Sequence, residues 1–169
     1  MHAHPSLLLL PAVLVAQTPA AKPDPFASLR FLEGTWVMAA AEGTPGRAGA
    51  GGFTFLPELD GKVLVRRGFA VFAAKGDRPA FRHEDVLTVY PEAGGLRALF
   101  VDNEGHVLHY EVAALADGPG IRFTTGGEGT RFRMEYRPGP AGTLDFRFDT
   151  AAPGRDFSTY LKATVRRRP

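Results

Sequence analysis

Arg131-Phe132-Arg133-Met134-Glu135-Tyr136-Arg137, followed after a break by Leu144-Asp145-Phe146-Arg147-Phe148-Asp149, is the stretch that decides the fold. Successive side chains of a strand point to opposite faces, so each segment carries one apolar face and one charged face. Strands of a parallel sheet are covered on both sides and read as unbroken apolar runs. Two alternating strands in succession therefore describe an antiparallel sheet with one face on a core, and Pro138 to Gly142 supplies the reversal between them.

The same grammar extends in both directions. Trp36 and Met38 begin a first strand, and Phe53 to Phe55 form a second that Pro57 ends. Leu59-Asp60-Gly61-Lys62 is a hairpin turn, because Gly supplies the positive φ that such turns require. Strands then follow at Val63 to Ala73, Phe81 to Tyr90, Leu96 to Asp102, His106 to Leu115 and Ile121 to Thr125, with a last one at Phe157 to Arg167. The glycine-rich tract Gly43 to Gly52 reads as a flexible hairpin loop or a flap. Phe26, Leu29 and Leu32 are at helical spacing, enough for a short turn that plugs one end, and Gly34 stops it. The sequence thus predicts an all-β chain, a single antiparallel up-and-down β-barrel of about ten strands with a short N-terminal helical turn.

Residues 26–169 make one domain on this reading. Met1 to Gln17 contain no acid, Lys or Arg and hold the apolar run Leu7 to Ala16, the length of a signal-peptide core and too short to span a bilayer. Residues 1–16 are therefore expected to be a signal peptide and residues 17–25 a Pro/Ala-rich disordered linker, so that the protein works in the periplasm or outside the cell. Cysteine is absent, which excludes disulfides, thiolate metal sites and thiol catalysis. The formal charge is only +2 and its signs are interleaved, with Arg166-Arg167-Arg168 the one basic run, so no nucleic-acid surface is expected.

Several polar residues fall on the inward phase. The phase of Val63, Val65, Phe69 and Val71 includes Arg67, unless a β-bulge at Arg66-Arg67-Gly68 turns both arginines out. The phase of Leu87 and Val89 carries His83 and Asp85, and that of Leu108 and Val112 carries His106 and Tyr110, while His109 points outward. Arg67, His83, Asp85, His106 and Tyr110 are the candidate ligand-binding residues. Buried carboxylate, imidazole and guanidinium groups must satisfy one another or a ligand, and a few convergent polar groups in an apolar lumen orient a mostly apolar guest. Catalytic motifs are missing. Ser28 and Ser158 have no neighbouring base, the spacings of His83, Asp85, His106 and His109 match no standard zinc motif, and Gly126 to Gly129 lies in a hairpin with no following helix. No metal site is expected.

Phe31-Leu32-Glu33-Gly34-Thr35-Trp36 resembles the FLxGTW opening of bacterial lipocalin-like (calycin) domains of the DUF1579 type and, more distantly, of nitrobindin-like heme-binding barrels. His83-Glu84-Asp85, the run from Asp102 to Val107 with Tyr110, and the closing strand Tyr160 to Arg167 add to the resemblance. It implies a ten-stranded barrel with an internal cavity, closed by Trp36 packed against Arg166 or Arg167. Nitrobindin-like barrels bind heme through a histidine on the closing strand. The comparable position here is Tyr160, which shares its phase with Ser158, Lys162 and Arg166 and is expected to face solvent, so no heme cofactor is expected. The function expected is non-catalytic binding of a small hydrophobic or amphiphilic molecule, without a membrane span. The alternatives are a heme-dependent enzyme acting on peroxynitrite or nitric oxide, and an envelope interaction module with a filled core. Nothing in the sequence speaks to oligomeric state.

Overall fold

The computed structural model describes residues 23–43 and 48–168. The expected signal peptide and most of the expected linker lie outside the described residues. Ten antiparallel strands, β1 (Gly34–Gly43), β2 (Ala48–Glu58), β3 (Val63–Phe72), β4 (Phe81–Glu92), β5 (Gly95–Asp102), β6 (Val107–Ala114), β7 (Ile121–Thr125), β8 (Arg131–Pro138), β9 (Thr143–Ala151) and β10 (Ser158–Arg167), each pair with the next, and β10 returns to β1. The sheet closes on itself, which removes every edge strand. No helix among the described residues is long and apolar enough to cross a membrane.

Alternation sets which side chains fill the barrel. Leu87 and Val89 of β4, Ala98 and Phe100 of β5, Phe123 of β7, Met134 and Tyr136 of β8 and Leu144 of β9 all belong to one buried apolar cluster. On β7, β8 and β9 their outward neighbours are charged and pair with one another: Arg122 with Glu135 and Arg133 with Asp149 across the strands, and Arg147 with Asp149 along β9, each at 2.7 Å. Asp149 is fully buried on this outer side. Burial alone would raise its pKa, but the two guanidinium groups outweigh that and hold the carboxyl below its usual range.

One end of the barrel is plugged. A 3-10 turn, Ala27–Leu32, drives Phe26, Leu29 and Leu32 into the core, and the Trp36 indole Nε1–H donates to the Leu32 carbonyl at 2.7 Å. Trp36 is 2% exposed, and the Arg167 guanidinium lies over its ring at 4.7 Å from the centroid. Arg166 stands opposite Val37 and is exposed. Above Trp36 the rings of Phe53, Phe55 and Tyr136 meet edge to face with centroids 5.6–5.8 Å apart. Such ring pairs add about 0.5–1.5 kcal/mol each beyond their buried area.

Two local expectations are corrected. The glycine tract is not wholly a loop, because Ala48 to Gly52 belong to β2 and pair with β3, while residues 44–47 lie outside the described residues. The reason is a close approach: a Cβ on Gly52 would stand 2.5 Å from the Trp36 carbonyl oxygen. Nor does Pro57 end β2. It pairs with Leu64 of β3 beyond the last β1 partner, Phe55, where a missing N–H costs no ladder bond to β1.

Candidate functional site

The other end of the barrel opens into a cavity of about 1380 Å³. Its volume follows from the inward residues of adjacent strands, which shrink toward the mouth. In β2 they run Phe55, Phe53, Gly51; in β3 Leu64, Arg66, Gly68, Ala70; in β10 Val165, then Ala163. The walls on the far side are aromatic, with Phe100, Phe132, Phe146 and Phe148 among the lining residues.

At the base of the cavity lies an ion pair. Arg66 Nη1 donates to Asp85 Oδ1, and the two side chains are only 8% and 5% exposed. The pair rests on Gly68, opposite Asp85 in the β3–β4 ladder: a Cβ there would lie 2.5 Å from Asp85 Oδ2 and 2.7 Å from Arg66 Nη1. Glycine is the residue that leaves room for both charges. Arg66 also stands over the Phe53 ring at 5.0 Å. Among the described residues its fully buried Nε has no partner within hydrogen-bond geometry, and the Tyr136 hydroxyl lies beside the guanidinium without a well-formed bond to it. Burial pushes the Tyr136 phenol up to about 12 against the opposing pull of the Arg66 charge, and it raises the Tyr110 phenol as well. Desolvation opposes the charge on Arg66, but Asp85 outweighs it and the guanidinium pKa is raised.

A carboxylate and imidazole chain climbs from this pair to the rim. His83 Nε2 is 3.6 Å from Asp85 Oδ2, and His83 Nδ1 is 2.8 Å from Glu104 Oε1. Contact with Asp85, reinforced by Glu104, raises the His83 pKa despite partial burial. Beside it Asp102 accepts the backbone N–H groups of Glu104 and His106 on one oxygen, while its other oxygen lies 2.8 Å from His106 Nδ1. Burial would raise the Asp102 pKa, but these bonds prevail and lower it. The donor atoms of His83, Asp102 and Glu104 lie within 4.8 Å of one another, a spacing one divalent cation could bridge. Each already has a protein partner, so the trio is satisfied as it stands.

The structure places the expected ligand-binding residues unevenly. His83 and Asp85 meet within the lumen, His106 sits at the rim with its side chain 52% exposed, and Tyr110 is buried with its ring edge-on to Phe100 and Phe123. Arg67 is corrected. It is exposed on the outer face and bonds Glu58 at 2.6 Å, because the β3 ladder runs from Val63 to Phe72 without a bulge and pairs Arg66, not Arg67, with the inward Leu87. Residues directly opposite in an antiparallel pair share a face, so that pairing fixes the phase. Tyr160 is exposed, as its phase suggested, but a register shift between Thr159 and Leu161 also sets it at the cavity mouth, with its ring edge-on to Phe148 at 6.0 Å. Asp102 and Glu104 were not singled out from the sequence. Asp102-Asn103-Glu104-Gly105 is the signature of a turn held by an aspartate side chain, and that signal would have placed both carboxylates beside His83.

Fold and lumen together define a closed antiparallel β-barrel with an open-ended internal cavity. No family model matches the chain, and no curated protein matches it. Among solved structures the chain is similar to the crystal structure of Rv2717c from M. tuberculosis, with a TM-score of 0.61 and 13% identity over 87% of this chain and 99% of that one. At that identity the likeness shows the barrel fold alone.

Proposed function

We propose that this barrel binds a small, mostly apolar molecule in its lumen and does not transform it. The observation that carries the reading is the cavity of about 1380 Å³, walled by phenylalanines and furnished with one deep polar anchor, Arg66 with Asp85. That combination is the usual form of a small-molecule site, in which apolar area supplies affinity and few polar groups supply orientation. A cavity of this size also speaks against a core packed solid with side chains. The FLEGTW opening and the contact between Trp36 and Arg167 support a lipocalin-like relationship of the DUF1579 type. The apolar run at Leu7 to Ala16 supports export to the periplasm or beyond.

Heme fits the lumen poorly. The closing strand has no histidine, and both imidazoles near the cavity are engaged with carboxylates, His83 with Glu104 and His106 with Asp102. Tyr160 reaches the mouth but is 43% exposed there, away from the sheltered base that a tyrosinate ligand would need. Hemin titration should give no saturable submicromolar absorbance change. Saturable binding abolished by Tyr160→Phe would instead promote heme-dependent chemistry.

The binding reading is tested by filling the lumen. Ala70 lines the cavity and stands opposite His83, so Ala70→Trp projects an indole across it. Wild type should bind the neutral dye Nile red with enhanced emission, and Ala70→Trp should weaken that binding by about tenfold or more while circular dichroism stays unchanged. Equal affinity in a folded variant would show that the dye does not enter the lumen.

A further inference from the structure

We infer that the head group this lumen accepts is an uncharged hydrogen-bond acceptor, such as an ester, ketone or amide oxygen, and that the site discriminates against carboxylates. This rests on the lumen-binding reading above and names the ligand class within it. Arg66 supplies the donor. Its side chain is 8% exposed and lines the cavity; Nη1 is taken by Asp85 and Nε is fully buried, which leaves Nη2 as the guanidinium nitrogen open to a guest, with no partner among the described residues. A guanidinium carries five N–H donors and no acceptor, so the group that completes it must bring lone pairs, which rules out an ammonium head. A donor left unmet when a guest displaces its water is costly, and a ligand oxygen that accepts from Nη2 removes that cost.

Charge then decides which acceptor. Asp85 already balances Arg66 in direct contact, and Gly68 beneath the pair leaves room for that carboxylate to stay where it is. Asp85, Asp102 and Glu104 offset Arg66, Lys75 and Arg78 among the residues that line the cavity, and the imidazoles of His83 and His106 are held by Glu104 and Asp102. An anionic head would meet no net positive formal charge from these carboxylates and basic side chains, and would shed its water beside three carboxylates to reach a guanidinium that Asp85 already balances. Juxtaposed like charges are how a binding surface rejects a wrong partner. A carbonyl oxygen accepts the same N–H groups without that repulsion.

The test compares methyl laurate with laurate in displacing lumen-bound Nile red at about pH 8, where the free acid is ionised. Wild type should bind the ester at least about tenfold more tightly than the acid. Asp85→Asn frees the Arg66 charge and should shift the preference toward laurate by a similar factor. Laurate binding as tightly as its ester to wild type would overturn the inference, with no variant needed. So would a folded Asp85→Asn protein whose preference is unchanged, since the Arg66 and Asp85 pair would then not contact the head group. Dye that binds the lumen but yields to neither compound would sink this ligand class while leaving the binding reading in place. Dye that never enters the lumen would sink the binding reading itself.

Discussion

The two ends of this barrel are built from the same alternating strands, yet one is solid and the other hollow. At the plugged end most inward positions are large: Trp36, Phe53, Phe55, Leu64, Tyr136 and Leu144 are all buried, with Phe26 and, from the 3-10 turn, Leu29 and Leu32 beneath them. Toward the mouth the inward positions of β2, β3 and β10 fall to Gly51, Gly68, Ala70 and Ala163. Alternation therefore decides which side chains face inward, while their size decides whether the interior is core or cavity. The polar groups follow the same division. Carboxylates and imidazoles collect where water or a guest can reach them, and the plugged end holds neither: its polar side-chain groups include the Trp36 indole N–H, paired with a backbone carbonyl, and the Tyr136 hydroxyl.

This contrast ranks the substitutions. Trp36→Ala should have the largest effect, about 3–5 kcal/mol lost in denaturant unfolding, because it opens a void in a dry, filled end that cannot collapse. It also removes the cation–π contact with Arg167, worth on the order of 0.5–2 kcal/mol. A loss under about 1 kcal/mol would mean that the plugged end is no better packed than the mouth.

Arg66→Met should come next. It leaves Asp85 with only the His83 imidazole, 3.6 Å away, and removing one partner of a buried pair costs about 3–5 kcal/mol in a dry interior. Here the cavity lets water reach the orphaned carboxylate, so a smaller loss of about 2–3 kcal/mol is expected. The double variant Arg66→Met/Asp85→Asn should recover most of it, since the unbalanced charge is gone. Urea unfolding of the three proteins checks this, and a double variant as unstable as the single one would show that Arg66 acts through packing on Phe53 and not through its charge.

The plugged end was far more legible in the sequence than the hollow one, for a physical reason. Strands β8 and β9 alternate cleanly because one face carries apolar side chains into the interior and the other carries charged side chains that pair with one another, so phase can be read from either face alone. Strand β3 breaks that rule. Its outer residues Val65, Phe69 and Val71 are apolar, and Phe69 is covered from outside by the Arg82 guanidinium at 4.2 Å, while its inner face carries Arg66 and Gly68. A strand that lines a polar cavity reverses the pattern, and only its pairing with Leu87 and Val89 gives the phase. Glycines misled in the same way. At Gly52 and Gly68 they serve close approach inside strands, which a single sequence does not distinguish from loop chemistry. The exposure of Tyr160 followed from its phase, but its place at the cavity mouth was illegible because a register shift leaves no mark in residue types.

The smallest effect expected belongs to the mouth and is a pH dependence. His83 is held between Asp85 and Glu104, and its pKa in the folded protein is raised above the ordinary histidine value. A raised folded-state pKa means that the native protein binds the proton more tightly than the unfolded chain. The resulting stability is then fully present below the unfolded value of about 6.5 and fades as pH rises through the folded value. His83→Gln keeps a polar side chain but removes the titration. The stability gap between wild type and His83→Gln should therefore be widest near pH 6, where the carboxylates are still ionised, and narrow toward about pH 8. Melting temperatures of the two proteins across that range measure it. A gap that is constant with pH would show that the mouth holds His83 by shape alone, and that its carboxylates act on it no more strongly than solvent does.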